Sequence, residues 1–339
     1  MKQRLYYIDA IKGFMMILVV IGHILDGYIN AGMFLESSHQ MWIAYNFIYS
    51  FHMPCFFIVS GFLFEMTFGN KDLENESNKG HFHCQIERLG YVYLIWSLFM
   101  GMFKLCLSRY ANTKIRIIDL FCIPIKPIKP YWYLYVLIIY YIVLSRNKIK
   151  KLSKKKLLLS AVGLSVFSKI IPYIDLFSLS DLLYHFLYFV IGTLIFDSYN
   201  GFLHGSTIKM GGMATISLVL LFVFWNESIS AIPIIDIIVA LSLSWLVWNV
   251  FLRIKFSEDS ILVFLGEHTL EIYVIHCFIT SSNRMILSML KITHPIVAIT
   301  MNLIFSIVLS LGIAYGSKRI GVYKYLFGTK KKMEMEKVK

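Results

Sequence analysis

Long apolar runs separated by short polar segments extend along the whole chain of 339 residues. An α-helix needs about 20 apolar residues to cross the hydrocarbon core of a bilayer. Several runs are short or contain Pro or Gly, which is typical of packed bundles in which neighbouring helices satisfy freed backbone groups. The pattern predicts an all-α, polytopic integral membrane protein with about ten transmembrane helices, near residues 8–29, 42–68, 89–108, 130–145, 157–173, 181–197, 210–226, 232–252, 261–281 and 295–316.

Composition and charge indicate the class of protein and its orientation in the membrane. An apolar fraction of 58% excludes an ordinary soluble domain. The net charge of +13 would suit a nucleic-acid partner. However, the basic residues lie between apolar runs, as topology signals do, so we expect membrane lipid and no nucleic acid as a partner.

Most of the 33 basic residues fall on the inner side if the N-terminus is cytoplasmic. We therefore expect a multi-pass protein of the cell membrane with both termini in the cytoplasm. Residues 1–325 are predicted to form the transmembrane domain and residues 326–339 a basic cytoplasmic tail. The third loop contradicts this orientation locally, because it carries Lys114, Arg116, Lys126 and Lys129.

The cysteines indicate no covalent or metal framework. They show no metal-ligand spacing and are odd in number, so we expect neither a disulfide scaffold nor a bound metal. The five are Cys55, Cys84, Cys106, Cys122 and Cys277.

The first apolar run carries the most informative polar residues. It is too long for a signal-peptide core, so we expect it to be retained. Asp9 and Lys12 stand at its start and His23 deep inside, where ionisable groups are costly and commonly functional. Lys12 and His23 are eleven residues apart, which places them on nearly the same helix face and about 16 Å apart along the axis. This spacing suits a site that holds a long anionic molecule at one end and performs chemistry at the other.

Four stretches in order carry a resemblance to a known family. The first holds Asp9, Lys12-Gly13 and His23. The others are residues 51–62 (FHMPCFFIVSGF), 130–135 (PYWYLY) and 265–276 (LGEHTLEIYVIH). Together they resemble the acyltransferase-3 family, integral membrane acyltransferases that O-acetylate sugars of bacterial surface polysaccharides. One family motif departs, because Gln85 replaces the first basic residue before Arg88, and Val92 stands where Pro is usual.

The resemblance implies an acyl-CoA donor, expected to be acetyl-CoA, as co-substrate with no bound cofactor. The implied acceptor is a hydroxyl of a saccharide or of a lipid-linked glycan. His23 is then the general base, with Asp26 available to orient its ring. Lys12 and Arg88 are expected to contact donor phosphate, with Asp9 setting the position of Lys12. That His23 itself carries the acyl group is left open.

Other intramembrane residues are candidates for the same site. His23, His52 and His276 each lie about fifteen residues from the inner end of their spans, which predicts one layer of histidines. His52 and His276 serve either the reaction or hydrogen bonding between helices. A zinc site made from the three histidines has no support in their spacing. The remaining candidates, of which the aromatic pair could equally form an interfacial belt, are Trp132, Tyr133, Glu271 and Tyr273.

Two other functions compete with an acyltransferase. A transporter or flippase of glycan intermediates would use the buried histidines as a proton relay. It predicts inverted repeats with broken helices, which the sequence does not display. A structural subunit of a synthase complex would leave the histidine layer without a purpose. A homodimer is a possible assembly, and the sequence does not determine the oligomeric state.

Overall fold

The computed structural model describes residues 4–69, 71, 75–106, 116–197, 216 and 233–328. All regular structure in these residues is helical. The helices are α1 (Tyr6–Asn30), α2 (Ser38–Phe64), α3 (Glu76–Cys106), α4 (Ile117–Phe121), α5 (Trp132–Leu144), α6 (Asn147–Lys150), α7 (Lys154–Ile170), α8 (Leu179–Asp197), α9 (Pro233–Arg253), α10 (Ile261–Glu267), α11 (Thr269–Met289), α12 (Pro295–Arg319) and α13 (Tyr323–Phe327).

The predicted class, an all-α polytopic membrane protein, is confirmed. Within the described part of the chain, six helices are long and apolar enough to cross a membrane, or seven if α10 and α11 form one bent span. The predicted span at 130–145 forms a helix of 13 residues, which is shorter than the about 17–25 residues of a full crossing. The predicted span at 157–173 forms a helix of 17 residues that is not among the six. Apart from residue 216, the predicted span at 210–226 lies outside the described residues.

Reciprocal glycine contacts bring α1 against α10. A Cβ atom on Gly13 would lie 2.0 Å from the carbonyl oxygen of Leu262, and one on Gly266 would lie 1.8 Å from the carbonyl oxygen of Asp9. Only glycine allows this backbone approach. The contact fixes the charged start of α1 beside the helix break that follows Gly266.

The same device joins α2 to α8. A Cβ atom on Gly61 would lie 2.0 Å from the carbonyl oxygen of Phe189, and one on Gly192 would lie 2.0 Å from the carbonyl oxygen of Ile58. Because α2 carries His52, this pair holds one wall of the site described below in a fixed position.

The predicted ninth span is broken. Helices α10 and α11 meet at His268 with a bend of 86°, and the Thr269 hydroxyl donates to the Gly266 carbonyl at the break. A transporter built from inverted repeats predicts paired breaks; the described ranges contain this single bent pair.

Candidate functional site

Two cavities of similar size lie towards opposite ends of α1. The first, called the histidine cavity, encloses about 730 Å³, and the second, called the basic pocket, about 720 Å³. The residues of the histidine cavity used below are His23, Asp26, Tyr49, His52, Lys104, Lys129, Trp132, His185, Tyr273, Cys277 and Arg284. The basic pocket is lined by Arg4, Lys12, Arg88, Glu267, His268, Glu271, Lys318, Tyr323, Lys324 and Gly328.

The structure brings the predicted histidines of α1 and α11 together. The rings of His23 and His276 lie 5.2 Å apart, centroid to centroid. His276 is fully buried, and its Nδ1 lies 2.9 Å from the Ile272 carbonyl oxygen. Its Nε2 is 3.2 Å from Cys277 Sγ. The His23, His276 and Cys277 ligand atoms lie within 4.8 Å of one another, close enough to share a metal ion.

The third predicted histidine lies in the wall of the same cavity. His52 is buried in α2, where its Nδ1 donates to the Ile48 carbonyl over 2.7 Å. Its ring packs edge-on against Tyr49, with centroids 4.8 Å apart. His23 and His52 both line the histidine cavity and His276 packs against His23, so these three helices bring their histidines to one cavity.

Sequence reasoning missed a fourth histidine. His185 of α8 lines the cavity, and its ring lies 5.1 Å from the Trp132 ring and 4.9 Å from the Phe57 ring. Its Nδ1 donates to the Asp181 carbonyl over 2.9 Å. The sequence did contain a signal for it, because His185 lies in the apolar run 181–197 just as His52 lies in the run 42–68. A histidine is unusual in either place.

Among the residues that the structure describes, four cations that line the histidine cavity were also missed as site residues, namely Lys104, Lys129, Lys169 and Arg284. Lys104 donates to the Lys129 carbonyl at 3.3 Å, and Arg284 donates to the Gly27 carbonyl at 2.9 Å. The carboxylate of Asp26 lies in the same cavity and accepts a hydrogen bond from Asn30 over 2.8 Å. Orientation of the His23 ring by Asp26 stays a prediction.

The aromatic candidates separate into two positions. Trp132, at the start of α5, lines the cavity. Tyr133 points elsewhere: its hydroxyl is 2.6 Å from the Ser60 hydroxyl, and its ring packs on Phe57 at 4.9 Å. Of the two, Trp132 is therefore the residue placed to meet a ligand in the cavity.

Two tyrosines join the third and fourth sequence motifs. The Tyr273 hydroxyl donates to the Pro130 carbonyl, and the Tyr131 hydroxyl donates to the Val274 carbonyl, each over 2.6 Å. These reciprocal bonds fix the first turn of α5, and with it Trp132, against the part of α11 that carries the His276–Cys277 pair.

At the basic pocket, Asp9 organises two cations. Its carboxylate lies 2.8 Å from Lys12 Nζ and 2.9 Å from Arg4, and Arg4 also contacts Glu267. This ion pair is the direct contact through which Asp9 can position Lys12, as expected. Any role of the two in donor binding stays a prediction.

Glu271 supports this pocket from a buried position. It is 6% exposed, accepts a hydrogen bond from the Tyr323 hydroxyl over 2.6 Å and lies 3.5 Å from His268 Nδ1. Burial and the Glu271 carboxylate raise the pKa of the Tyr323 hydroxyl. Tyr323 therefore stays protonated and keeps donating to Glu271.

The C-terminal segment completes the basic pocket. Arg88 Nε, the Tyr91 hydroxyl and Trp96 Nε1 of α3 donate at 3.2, 2.7 and 2.9 Å to the carbonyl oxygens of residues 327, 325 and 326. These bonds position α13, whose Lys324 lines the pocket together with Lys318. The predicted tail boundary at residue 326 thus falls inside α13; residues 329–339 lie outside the described ranges.

The charges of the basic pocket favour an anionic ligand. Its lining holds five Lys and Arg side chains and two glutamates, Glu267 and Glu271. An excess of cations in a concave site attracts and holds anions such as phosphates. In the described part of the chain, cations line both cavities, five at the basic pocket and four at the histidine cavity, and the histidine cavity differs by its three imidazoles, its indole ring and its thiol.

Comparison with known proteins agrees with the motifs. A family described as an acyltransferase domain, the acyltransferase-3 family, matches residues 5–315, which include the histidines of both α1 and α11. Searches of curated proteins and of solved structures give no significant match. The match covers nearly the entire chain, so the chain belongs to the acyltransferase-3 family and is a membrane acyltransferase.

Proposed function

We propose that this protein transfers an acetyl group from acetyl-CoA to a sugar hydroxyl of a cell-surface polysaccharide or its lipid-linked precursor. The observation that carries the proposal is the arrangement of α1. Lys12 faces the cation-rich pocket at one end, and His23, on the same helix, faces the histidine cavity at the other. A donor with a charged head and a reactive far end fits this separation.

The basic pocket is proposed as the donor end. The phosphates of CoA would lie against Lys12 and Arg88, the two predicted donor-binding residues, with Lys318 and Lys324 of the same pocket contributing further positive charge. The ion pair with Asp9 restrains Lys12 before the donor arrives, so less entropy is lost on binding. With both termini in the cytoplasm, this pocket opens to the compartment that supplies acyl-CoA.

The histidine cavity is proposed as the acceptor end. Trp132 and Tyr49 offer aromatic faces and His52 and His185 ring nitrogens, a combination that suits a saccharide with apolar ring faces and polar edges. His23 in its neutral form takes the proton of the acceptor hydroxyl as that oxygen attacks an acyl carbonyl. The product is an acetyl ester of the sugar and free CoA thiol.

The decisive experiment reconstitutes the purified protein in lipid nanodiscs with radiolabelled acetyl-CoA and surface glycan, and identifies the acetylated sugar by mass spectrometry. The wild type should form an acetyl ester, while His23→Ala should lower kcat by about 10²–10⁴-fold, the usual contribution of a general base. His294→Ala, which changes an exposed histidine at the start of α12, is the matched control and should keep the wild-type rate.

The outcome also separates the acyltransferase from the transport alternative. Glycan that crosses the membrane without gaining an ester would contradict the proposal and favour a flippase. An ester formed at the wild-type rate by a well-inserted His23→Ala variant would leave the transferase in place but remove His23 as its base.

A further inference from the structure

Cys277 is a thiol that the proposed reaction does not use, although it lines the histidine cavity. It follows His276 on α11, lines the cavity and is 8% exposed. Its Sγ lies 3.2 Å from His276 Nε2. Of the other cysteines, Cys55 is fully buried in α2, and no cysteine except Cys277 lines the histidine cavity within the described ranges.

The backbone fixes the protonation of the partner imidazole. His276 Nδ1 lies 2.9 Å from the Ile272 carbonyl oxygen. Because a carbonyl oxygen can only accept, Nδ1 carries the proton and Nε2 keeps its lone pair. That lone pair faces the Cys277 thiol, so His276 is placed to accept the thiol proton. A nucleophile within reach of a base, and a base oriented by a third group, is the arrangement of covalent catalysis.

A second imidazole stands across the same thiol. The donor atoms of His23, His276 and Cys277 lie within 4.8 Å of one another. A direct transfer from acyl-CoA to a hydroxyl needs one base, whereas this cluster holds two histidines around a nucleophile. A two-step transfer deprotonates two nucleophiles in turn, and here each of the two can have its own imidazole.

We propose, on the basis of the proposed function, that Cys277 is the acyl carrier of the reaction. In the first step His276 Nε2 takes the proton from the Cys277 thiol, and Sγ attacks the thioester carbonyl of acetyl-CoA. The bond from that carbonyl carbon to the CoA sulfur breaks, and the CoA thiolate leaves with the proton from His276. Acetyl-Cys277 results, with no change of oxidation state.

In the second step His23 takes the proton from the acceptor hydroxyl, and the hydroxyl oxygen attacks the acetyl-Cys277 carbonyl. The bond between that carbonyl carbon and Sγ breaks, and the thiolate takes up the proton that His23 accepted, so that His23 and Cys277 return to their starting states; the donor atoms of the two side chains lie within 4.8 Å of each other. The carrier lets CoA withdraw towards the basic pocket before the acceptor enters. Donor and acceptor therefore need not occupy the histidine cavity together.

Isotope exchange without acceptor tests the first step alone. The purified protein is mixed with acetyl-CoA and radiolabelled CoA, and the label that enters acetyl-CoA is measured. An acyl-enzyme requires this exchange. We expect it in the wild type and expect Cys277→Ala to lower it by about a thousandfold or more, as removal of a nucleophile does. Cys55→Ala is the matched control and should exchange at the wild-type rate.

The His23→Ala variant should trap the intermediate, because it blocks only the second step. After incubation with acetyl-CoA and acceptor, peptide mass spectrometry should place one acetyl group on Cys277. Cys277→Ser, which keeps the side-chain size, is measured in parallel with Cys277→Ala. Size-exclusion chromatography of every variant ensures that a loss of exchange is interpreted only for folded protein.

Several outcomes would overturn the carrier. One is a wild-type protein that acetylates its glycan but does not exchange label between CoA and acetyl-CoA. Another is a Cys277→Ala variant whose exchange rate is within a few-fold of the wild-type rate. The third is an acetyl group found on His23. Each leaves the proposed acetyltransferase standing, because glycan acetylation is measured separately. If the wild type acetylates no glycan, the proposed function itself fails, while exchange through Cys277 would still identify a thioester carrier.

Discussion

At the scale of single residues, the described side chains divide between two kinds of chemistry. Asp9 holds Lys12 and Arg4 at the basic pocket, and the Ile272 carbonyl fixes the tautomer of His276 at the other end of α1. Lys12 and His276 would contact substrate, and each is held by a neighbour, Asp9 or the Ile272 carbonyl, that would not. Such restraint favours reaction, since the geometry is set before substrate binds.

The pair of Asp9 and Lys12 leads to a prediction about the donor. Lys12→Ala should raise the KM for acetyl-CoA by about tenfold to a hundredfold, because a charged hydrogen bond contributes about 1.5–3 kcal/mol. The KM for the acceptor and for acetyl-pantetheine, which lacks the nucleotide, should stay near wild type. Steady-state kinetics in nanodiscs measures all three.

Asp9→Asn provides the matched variant for this test. If Asp9 acts by positioning Lys12, the effects of the two substitutions on the KM for acetyl-CoA should be less than additive in the double variant. An unchanged KM for acetyl-CoA in Lys12→Ala would remove Lys12 from the donor site.

At the scale of elements, glycine contacts decide which helices come together. The α1–α10 contact is made where Gly13 and Gly266 each face a backbone carbonyl. Both glycines belong to motifs that resemble the acyltransferase-3 family, so these motifs have a packing role beside any catalytic one. The contact places Asp9 next to Glu267 and the 86° bend, and so shapes the basic pocket.

This packing predicts that alanine substitutions at different glycines change the stability of the protein by different amounts. Gly13→Ala should destabilise the protein by about 1–3 kcal/mol or more, because the added methyl group meets a carbonyl that cannot move freely. Gly312→Ala is the matched control, since Gly312 of α12 has no atom within 4 Å of its would-be Cβ and alanine favours helix by up to about 1 kcal/mol. Thermal unfolding in detergent would measure both, and equal melting temperatures would contradict the close contact.

At the scale of the whole molecule, the two cavities lie towards opposite ends of the bundle, and a segment beyond the matched family domain completes one of them. The family match ends at residue 315, whereas Lys318 and Lys324 line the basic pocket. Three side chains of α3 fix α13 there. The C-terminal segment is therefore part of the proposed donor site as well as an extension of the chain.

The proposed orientation predicts opposite access to the two cavities. In a chain whose native cysteines are replaced by alanine, Lys318→Cys should react with a membrane-impermeant reagent from the cytoplasmic side, and CoA should shield it. Lys129→Cys, at the histidine cavity, should react from the outer side and be indifferent to CoA. Labelling of both positions from one side would contradict the arrangement.

The sequence alone determined the properties that depend on local composition and helix geometry. The length of the apolar runs specifies an all-helical membrane protein because a bilayer demands internal hydrogen bonding. The eleven-residue spacing of Lys12 and His23 follows from the helical repeat, so their separation along α1 could be predicted. The family motifs were visible for the same reason, since each is a short continuous stretch.

Only the tertiary structure decided which distant residues meet. His276 lies against His23, His185 of α8 lines their cavity, and Lys324 lines the basic pocket together with Lys12. Apolar periodicity does not say which face of a helix meets which neighbour, since almost every face here is apolar. The bend at His268 was not predicted either, although Gly266 and the polar residues 267–269 interrupt the apolar run there, because such an interruption does not show whether the helix continues or turns, and packing against α1 decides it.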